Sequence, residues 1–305
     1  MLRAQFHNVS RALLTASILA LAACSAPTVN SGGVPVTAQP ATTSELPPAK
    51  TPKAMLYVSD SGTNQVDVFN WPKPNAPIGT LSGLSEPQGQ CADQSGNVFI
   101  TNTGDENILE YKGTQLTNTL EDPQQYPVGC SYDAVNGNLA TANIMGSSDT
   151  PGSVAIFAHA TGTPEIKAVA GIKHVFSVQY DGSGDLYAYG QNASYKMSLA
   201  KLPAGSKKFR LVCANLLSST EITGIGWDGK HLIFGVATGV DRIENCKIAG
   251  FTRLLGPVGV YILGHRLIAM SDSAVAVYAY PKGGFPVQTY TLSGLSEPIG
   301  FAISR

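Results

Sequence analysis

Charged side chains are scarce in this chain. Asp, Glu, Lys and Arg together make up 13% of its 305 residues, about half of the roughly 25% that is usual in soluble domains. The formal net charge is −1, so the chain offers no strongly basic surface for phosphates. This scarcity excludes the ordinary kind of nucleic-acid-binding protein. It also requires a surface whose polarity comes largely from Ser, Thr, Asn and Gln.

Two familiar catalytic motifs are also missing. The chain has no Gly-x-Ser-x-Gly nucleophile elbow and no glycine-rich phosphate-binding loop. Hydrolysis at such an elbow and nucleotide binding therefore lack support. A long apolar run is missing as well, since the stretch from Ala12 to Ala23 is too short to span a bilayer.

That short apolar stretch has the features of a secretory signal. Arg3 and Arg11 precede it, and it ends in Leu21-Ala22-Ala23-Cys24, which resembles a bacterial lipoprotein signal. The resemblance implies removal of residues 1–23, acylation of Cys24 and anchoring in the cell envelope, with Ser25 favouring the outer membrane. An ordinary cleaved signal with a chance cysteine is the alternative.

The segment from residue 24 to residue 53 is rich in Pro, Thr, Ser and Ala. It has too few large apolar side chains to offset the entropy lost on ordering. We therefore predict a flexible tether here, followed by one globular domain over residues 54–305.

A repeat organises that domain. The nine residues from Leu81 to Gly89 recur from Leu292 to Gly300 with one substitution. A shorter pattern, built from Pro-x-Gly, Asp-x-x-Gly-Asn and alternating apolar residues, recurs about every 42 residues. Its six markers are Gly89, Gly129, Ser177, Gly224, Gly259 and Gly300. Self-similarity at such a period indicates a repeat architecture.

Each period contains four short alternating runs joined by turn residues, which is typical of a propeller blade. The repeats begin with a second-strand sequence at Met55–Asp60 and end with an inner-strand sequence at Pro298–Ile303. We therefore predict an all-β, six-bladed β-propeller with four-stranded blades, whose ring is closed when the C-terminal inner strand joins the N-terminal strands. We expect a monomer.

The elements at residues 87–111 resemble the NHL repeat, and the resemblance extends over residues 55–305. Related six-bladed families include gluconolactonase-like hydrolases, which hold a divalent cation such as calcium with a Glu, two Asn and an Asp. The matching residue types here are Glu86, Asn102, Asn143 and Asp272. The resemblance thus implies a possible metal site, because hard cations take oxygen ligands.

Those residues belong to the predicted channel face, where the loops before the inner strands and the loops between second and third strands open. The candidate ligand-binding residues on this face are Glu86, Asn102, Asn143, His174, Glu221, Asp272 and Glu297. A turn-forming role is the alternative, because Asn and Asp favour such geometry and the two Ser-Glu-Pro turns are duplicates. A lone channel histidine, His174, does not make a zinc site.

Four cysteines remain beyond Cys24, and an oxidising compartment favours disulfides between them. Four cysteines allow three pairings. Cys91 and Cys130 fall in predicted inner strands of adjacent blades, and Cys213 and Cys246 in predicted outer strands of the next pair. Buried free thiols are the alternative.

These features favour a non-enzymatic binding module for a protein, glycan or small ligand, tied to the membrane only through its lipid anchor. The main alternative is a metal-dependent, lactonase-like hydrolase with its site at the channel face. A purely structural envelope protein is a third hypothesis.

Overall fold

The computed structural model describes residues 53–216, 222–236, 238–254 and 259–304. In these residues the regular structure consists of strands and three one-turn 3-10 segments, at Thr103–Asp105, Ser147–Asp149 and Ala158–Ala160. The predicted signal, Cys24, most of the tether, and Glu221 lie outside the described residues.

The strands form six antiparallel sheets of four strands each, and each sheet is one blade of a propeller. Blades 1 and 2 contain β1 (Met55–Asp60), β2 (Gln65–Asn70), β3 (Pro77–Leu81), β4 (Pro87–Ala92), β5 (Asn97–Asn102), β6 (Asn107–Lys112) and β7 (Gln115–Glu121). Blades 3 and 4 contain β8 (Gln125–Tyr132), β9 (Leu139–Gly146), β10 (Pro151–Phe157), β11 (Glu165–Ala168), β12 (His174–Tyr180), β13 (Leu186–Gln191), β14 (Met197–Leu202) and β15 (Arg210–Cys213).

The remaining strands complete the ring. Blades 5 and 6 contain β16 (Ile222–Trp227), β17 (Leu232–Val236), β18 (Gly239–Glu244), β19 (Lys247–Arg253), β20 (Gly259–Leu263), β21 (Arg266–Met270), β22 (Ala274–Ala279) and β23 (Gln288–Thr291). The last strand, β24 (Pro298–Ile303), is the inner strand of blade 1.

Closure of the ring is therefore confirmed. Strand β24 pairs antiparallel with β1, with Leu56 opposite Ile303 and Val58 opposite Phe301. Just beyond the strand, the Ser304 backbone N–H donates to the Met55 carbonyl at 2.9 Å. Pairing the two ends of the domain removes the unpaired inner edge that an open first blade would expose.

The repeated Asp-x-x-Gly sequence forms the turn between the first and second strands. Asp93 Oδ1 accepts the backbone N–H groups of Ser95 and Asn97, both at 2.8 Å. Gly96 has φ +84°, a left-handed conformation that glycine adopts without steric cost. Asp133, Asp181 and Asp228 accept turn amides in the same way. The predicted turn chemistry is confirmed.

Two of the marker glycines, Gly89 and Gly300, lie where neighbouring inner strands approach each other closely. A Cβ atom on Gly89 would lie 2.5 Å from the Val128 carbonyl oxygen and 2.6 Å from Gly129 Cα. A Cβ on Gly300 would similarly collide with the Gln88 carbonyl oxygen. The inner strands of blades 1, 2 and 3 thus pack backbone against backbone, which explains why the repeat keeps glycine there.

Six buried apolar clusters form the core, one at each seam between adjacent blades. At the seam of blades 6 and 1, for example, Leu56 and Phe69 pack with Ile268 and Val277. Burying one such side chain contributes about 1.5–3 kcal/mol. The blades are therefore stabilised by one another rather than by separate cores.

Two disulfides cross seams. Cys91 on β4 is bonded to Cys130 on β8, and Cys213 on β15 to Cys246, with Cα–Cα distances of 5.6 Å in both. Cys246 lies in the tight turn between β18 and β19 rather than in the outer strand where the sequence placed it, and its φ is +63°. The disulfides tie blade 2 to blade 3 and blade 4 to blade 5.

Candidate functional site

Buried polar residues occupy one equivalent position on the channel face of blades 1 to 4, at or near the end of the second strand. Each is opposite the start of its own inner strand. The four residues are Asp60, Asn102, Asn143 and Gln191, all at most 8% exposed. We call them the strand-end residues. Since they share a position, their hydrogen bonds can be compared directly.

In blade 1 the strand-end residue holds a loop. Asp60 Oδ2 accepts the backbone N–H of Ser296 at 2.6 Å, and its Oδ1 accepts that of Glu297 at 2.9 Å. Oδ1 also accepts the N–H of Gly62 at 3.0 Å. The carboxylate therefore fixes the Ser-Glu-Pro turn that precedes β24.

Blade 2 repeats this arrangement with an amide. Asn102 Oδ1 accepts the backbone N–H of Ser85 at 2.6 Å. Its Nδ2 donates to Asp105 Oδ2 and Asn107 Oδ1, both at 3.0 Å. The turn-forming interpretation of Asn102 thus has direct support, because the side chain binds the loop of its own blade.

The two glutamates of the duplicated turns differ in exposure. Glu86 is half-buried and has φ +50°, and its backbone N–H donates to Asn64 Oδ1 at 3.1 Å. Glu297 is exposed, and Ser61 Oγ lies 3.5 Å from its carboxylate. Both turns belong to the channel face, and in both the backbone N–H groups are bound by Asn or Asp side chains.

Blade 3 is different, because its strand-end residue lies in a buried polar cluster. Asn143 Nδ2 donates to Ser153 Oγ at 3.1 Å, and Ser153 Oγ donates to Gln125 Oε1 at 2.7 Å. Thr141 Oγ1 donates to Asp122 Oδ2 at 3.2 Å. Asn143 Oδ1 and Asp122 Oδ1 are buried and have no hydrogen-bond partner among the described residues.

Asp122 was not among the residues predicted from the sequence. It is 0% exposed, and burial raises its pKa to about 6, against the lowering effect of hydrogen bonds from Asn143 and Thr141. The one available signal was its place in the Asp122-Pro123 loop, which corresponds to the Ser-Gly-Leu-Ser-Glu-Pro turn of blade 2. Its burial depends on side chains of β9, which sequence alone does not place.

Blade 4 also has buried polar atoms at this position. His174 and Gln191 are opposite each other across β12 and β13. Within the described part of the chain, His174 Nδ1 and Gln191 Oε1 are buried without a hydrogen-bond partner. The structure thus places His174 beside an amide.

The four predicted metal ligands are not joined to one another. Among the described residues, no hydrogen bond links any two of Glu86, Asn102, Asn143 and Asp272. Asp272 is exposed in the turn between β21 and β22. Over the same described residues, no group of three or more His, Cys, Asp or Glu side chains is placed to hold a metal ion.

The opposite face carries a link between blades 5 and 6. The Tyr280 hydroxyl donates to Asp228 Oδ2 at 2.6 Å, and His231 Nδ1 lies 3.4 Å from the same oxygen. Burial raises the pKa of Asp228, but hydrogen bonds from Tyr280 and from the backbone of His231 and Lys230 outweigh it and leave the pKa below its ordinary value.

A polar cavity of about 170 Å³ also opens on the opposite face, between blades 3 and 4. Lys167, 8% exposed, lies in its wall and donates to Glu165 Oε1 at 2.6 Å and to the Lys207 carbonyl at 3.2 Å. The wall therefore presents a lysine whose charge is already paired.

Comparison with solved structures agrees with this architecture. One similar chain is from the crystal structure of a nidogen/laminin complex, with a TM-score of 0.64 and 14% identity over 83% of this chain and 98% of that chain. The present protein is a six-bladed β-propeller. A second is a protein of unknown function from Bacteroides caccae, with a TM-score of 0.63 and 12% identity over 83% of this propeller chain and 100% of that chain.

The likeness identifies the fold and leaves the function open, since 1026 solved chains match this propeller. No protein-family model and no curated protein matches the sequence. The resemblance to NHL repeats therefore stays a prediction.

Proposed function

We propose that this protein is a lipid-anchored propeller of the cell envelope that binds another protein. The anchor is supported by the sequence around Cys24, and the tether by the composition of residues 24–53. In the described part of the chain, no helix has the length and apolar character needed to cross a membrane.

The observation that carries the binding role is a set of exposed apolar side chains on the outer strands of blades 4 and 5. Leu211 and Val212 on β15 and Ile248 on β19 are 43%, 42% and 49% exposed. The Cys213–Cys246 disulfide ties the two segments together, and Cys246 Sγ lies 3.2 Å from the Val212 carbonyl oxygen. We call these three residues the rim patch. The Leu211 side chain lies on the blade 3 side of β15, next to Gly171, so the exposed apolar residues extend around this part of the rim. Exposed apolar surface of this kind supports an interaction role.

The structural neighbours are consistent with a protein partner. The nidogen/laminin neighbour was solved as a complex, and this is the reason for preferring a protein over a glycan or a small molecule. Interfaces of this kind have an apolar centre and a polar rim. Here Arg210 on one side and Lys247 on the other border the patch in sequence.

The test is capture of envelope proteins by the full-length protein, followed by cross-linking. We expect the triple variant L211S/V212S/I248S to lose the captured partner. The matched control is L116S/I166S, which removes exposed side chains from the rims of blades 2 and 3. Circular dichroism checks that all three proteins are folded. Equal capture by both variants would contradict a binding role for the rim patch.

A lactonase-like hydrolase is the second candidate, and one observation favours it: the predicted ligand Asn143 has an amide oxygen without a partner. This function requires Glu86 to share a cation with Asn143. We expect Glu86→Ala to abolish both metal binding and turnover in a panel of lactones if this function holds. If the wild type hydrolyses none of the lactones, and Glu86→Ala has the same metal content as the wild type, the lactonase hypothesis is wrong.

A further inference from the structure

Blades 1 to 3 provide an internal comparison at the strand-end position. In blades 1 and 2 the side-chain oxygens of Asp60 and Asn102 accept backbone N–H groups of the preceding loop. In blade 3 the corresponding oxygen, Asn143 Oδ1, accepts none from the described residues. The strand position is the same in the three blades, so, among the described residues, blade 3 leaves without a donor an oxygen that blades 1 and 2 satisfy.

A buried carboxylate lies in the same cluster. Asp122 and Asn143 are both 0% exposed, and Asp122 is hydrogen-bonded to Thr141, two residues before Asn143 on β9. Asp122 Oδ2 accepts the Thr141 hydroxyl, while Oδ1 has no partner within the described residues. Blade 3 therefore encloses two oxygen atoms, one from a carboxylate and one from an amide, that lack a donor.

Among the described residues, no basic side chain forms an ion pair with this carboxylate. The ion pairs found in the described residues join Lys167 to Glu165, Lys201 to Asp185 and His231 to Asp228. The neighbouring charged residue that affects Asp122 is Glu106, which is also negative. A charge buried without a partner is strongly unfavourable, and buried charges in proteins are paired or bind metal ions.

We propose that Asp122 Oδ1 and Asn143 Oδ1 are ligands of a small hard cation enclosed within blade 3. The cation supplies the positive charge that the carboxylate lacks and the electron-pair acceptor that both oxygens lack. Carboxylate and amide oxygens are the ligands that Ca²⁺ takes in proteins, so Ca²⁺ is the probe of choice. Ser153 Oγ and Gln125 Oε1 are further oxygens in the same hydrogen-bonded cluster.

Blade 4 shows why charge decides between a cation and a water molecule. Its unpartnered atoms, His174 Nδ1 and Gln191 Oε1, belong to an imidazole and an amide. A water molecule can satisfy a buried set of this kind without any change in charge. In blade 3 the carboxylate adds a negative charge that water does not balance.

This site differs from the channel-face metal site of a lactonase. It is formed by Asn143 of blade 3 and Asp122 of the loop before β8, and it does not use Glu86, whose backbone belongs to the turn held by Asn102 and Asn64. Its role is to join the loop before β8 to β9 and so to stabilise blade 3. The inference shares Asn143 with the lactonase hypothesis, but it depends on neither proposed function.

The experiment is titration of the full-length, chelator-treated protein with Ca²⁺, read by calorimetry and by the melting temperature. A cation that binds the native state alone raises the melting temperature with its concentration. We expect one Ca²⁺ per chain in the wild type. Losing even an outer-shell partner weakens metal affinity about 10- to 100-fold, so we expect Asp122→Asn to weaken it by at least about 100-fold.

Three further variants make the test specific. Asp67→Asn is the matched control, because Asp67 is buried and accepts the Thr80 hydroxyl at 2.7 Å; it should bind Ca²⁺ as the wild type does. Glu86→Ala should also bind Ca²⁺ as the wild type does, whereas the lactonase hypothesis expects this variant to lose metal binding. If Asp122→Asn fails to fold, Ca²⁺ binding is measured on Asn143→Asp instead. A second carboxylate there should increase the affinity for Ca²⁺.

The opposite results are equally clear. Absence of binding by Ca²⁺, Mg²⁺, Na⁺ and K⁺ would overturn the proposal, as would binding that Asp122→Asn leaves unchanged. If the melting temperature rises on acidification and does not change with any of these cations, the Asp122 carboxyl is protonated and holds no metal ion. That result would also overturn the proposal.

Discussion

At the scale of single residues, close approach of the backbones requires glycine at particular inner-strand positions. Gly89 lies against the backbone of Val128 and Gly129, so any Cβ there collides with main-chain atoms that cannot rotate away. Gly182 is different, because a Cβ there would meet Trp227 Nε1 at 3.6 Å, an ordinary contact. Comparing alanine substitutions at the two positions distinguishes the cost of a steric clash from the general effect of replacing glycine.

We therefore expect Gly89→Ala to destabilise the propeller by about 2–3 kcal/mol or more, as overpacking of a tight interior does. Gly182→Ala should change the free energy of unfolding by less than about 0.5 kcal/mol. Urea denaturation of both variants measures this. Similar stability of the two variants would show that the inner strands can move apart.

The sequence predicted some residue roles and missed others for a physical reason. The Asp and Gly of each turn act within a few residues, so their chemistry is visible locally. Asp60 accepts amides from Ser296 and Glu297, which are more than 230 positions away. Asp122 has a buried environment made by Thr141 and Asn143. Long-range partners of this kind follow from the fold and not from a motif.

At the scale of elements, tight turns also join neighbouring blades. The turn after β16 shows this, because Asp228 Oδ1 holds the turn amides and Oδ2 accepts the Tyr280 hydroxyl of blade 6. The folded-state pKa of Asp228 is below its ordinary value. This carboxylate therefore stabilises the fold above its unfolded pKa of about 3.9, and the contribution is lost as the pH falls through the folded pKa.

We expect Tyr280→Phe to raise the pKa of Asp228 towards its ordinary value, because one lowering hydrogen bond is removed. The free energy of unfolding of the variant should then fall less steeply between about pH 5 and pH 2. Tyr195→Phe is the control, since Tyr195 is 66% exposed. Identical slopes in all three proteins would show that Tyr280 does not influence Asp228.

Elements were predicted well where pattern and turn residues agreed. The sequence of Ser194–Leu202 comes nearest to a helical pattern in the domain, yet its place within the repeat predicts a strand. The structure confirms β14 there, paired with β13 from Leu186 opposite Leu202 to Gln191 opposite Met197. Cys246 was placed one element too far along, because a cysteine in a left-handed turn has no local signal that distinguishes it from a strand residue.

At the scale of the whole molecule, the apolar core lies at the seams between blades, and the proposed sites lie on particular blades. Every apolar cluster is shared by two blades, so the stability of a blade depends on its neighbours. The rim patch lies on the outer strands of blades 4 and 5, and a disulfide joins these two blades. The proposed cation site lies within blade 3, where buried polar groups replace a wholly apolar interior.

The sequence by itself determined the number of blades, their four-stranded composition and the closure of the ring. These features follow from a repeat period and from turn chemistry, which act over short distances along the chain and are legible in it. Only the tertiary structure decided which oxygens at the channel face hold loops and which in blade 3 are left without a donor. Whether a side-chain oxygen is satisfied depends on backbone and side-chain groups that the closed ring brings to it from distant positions.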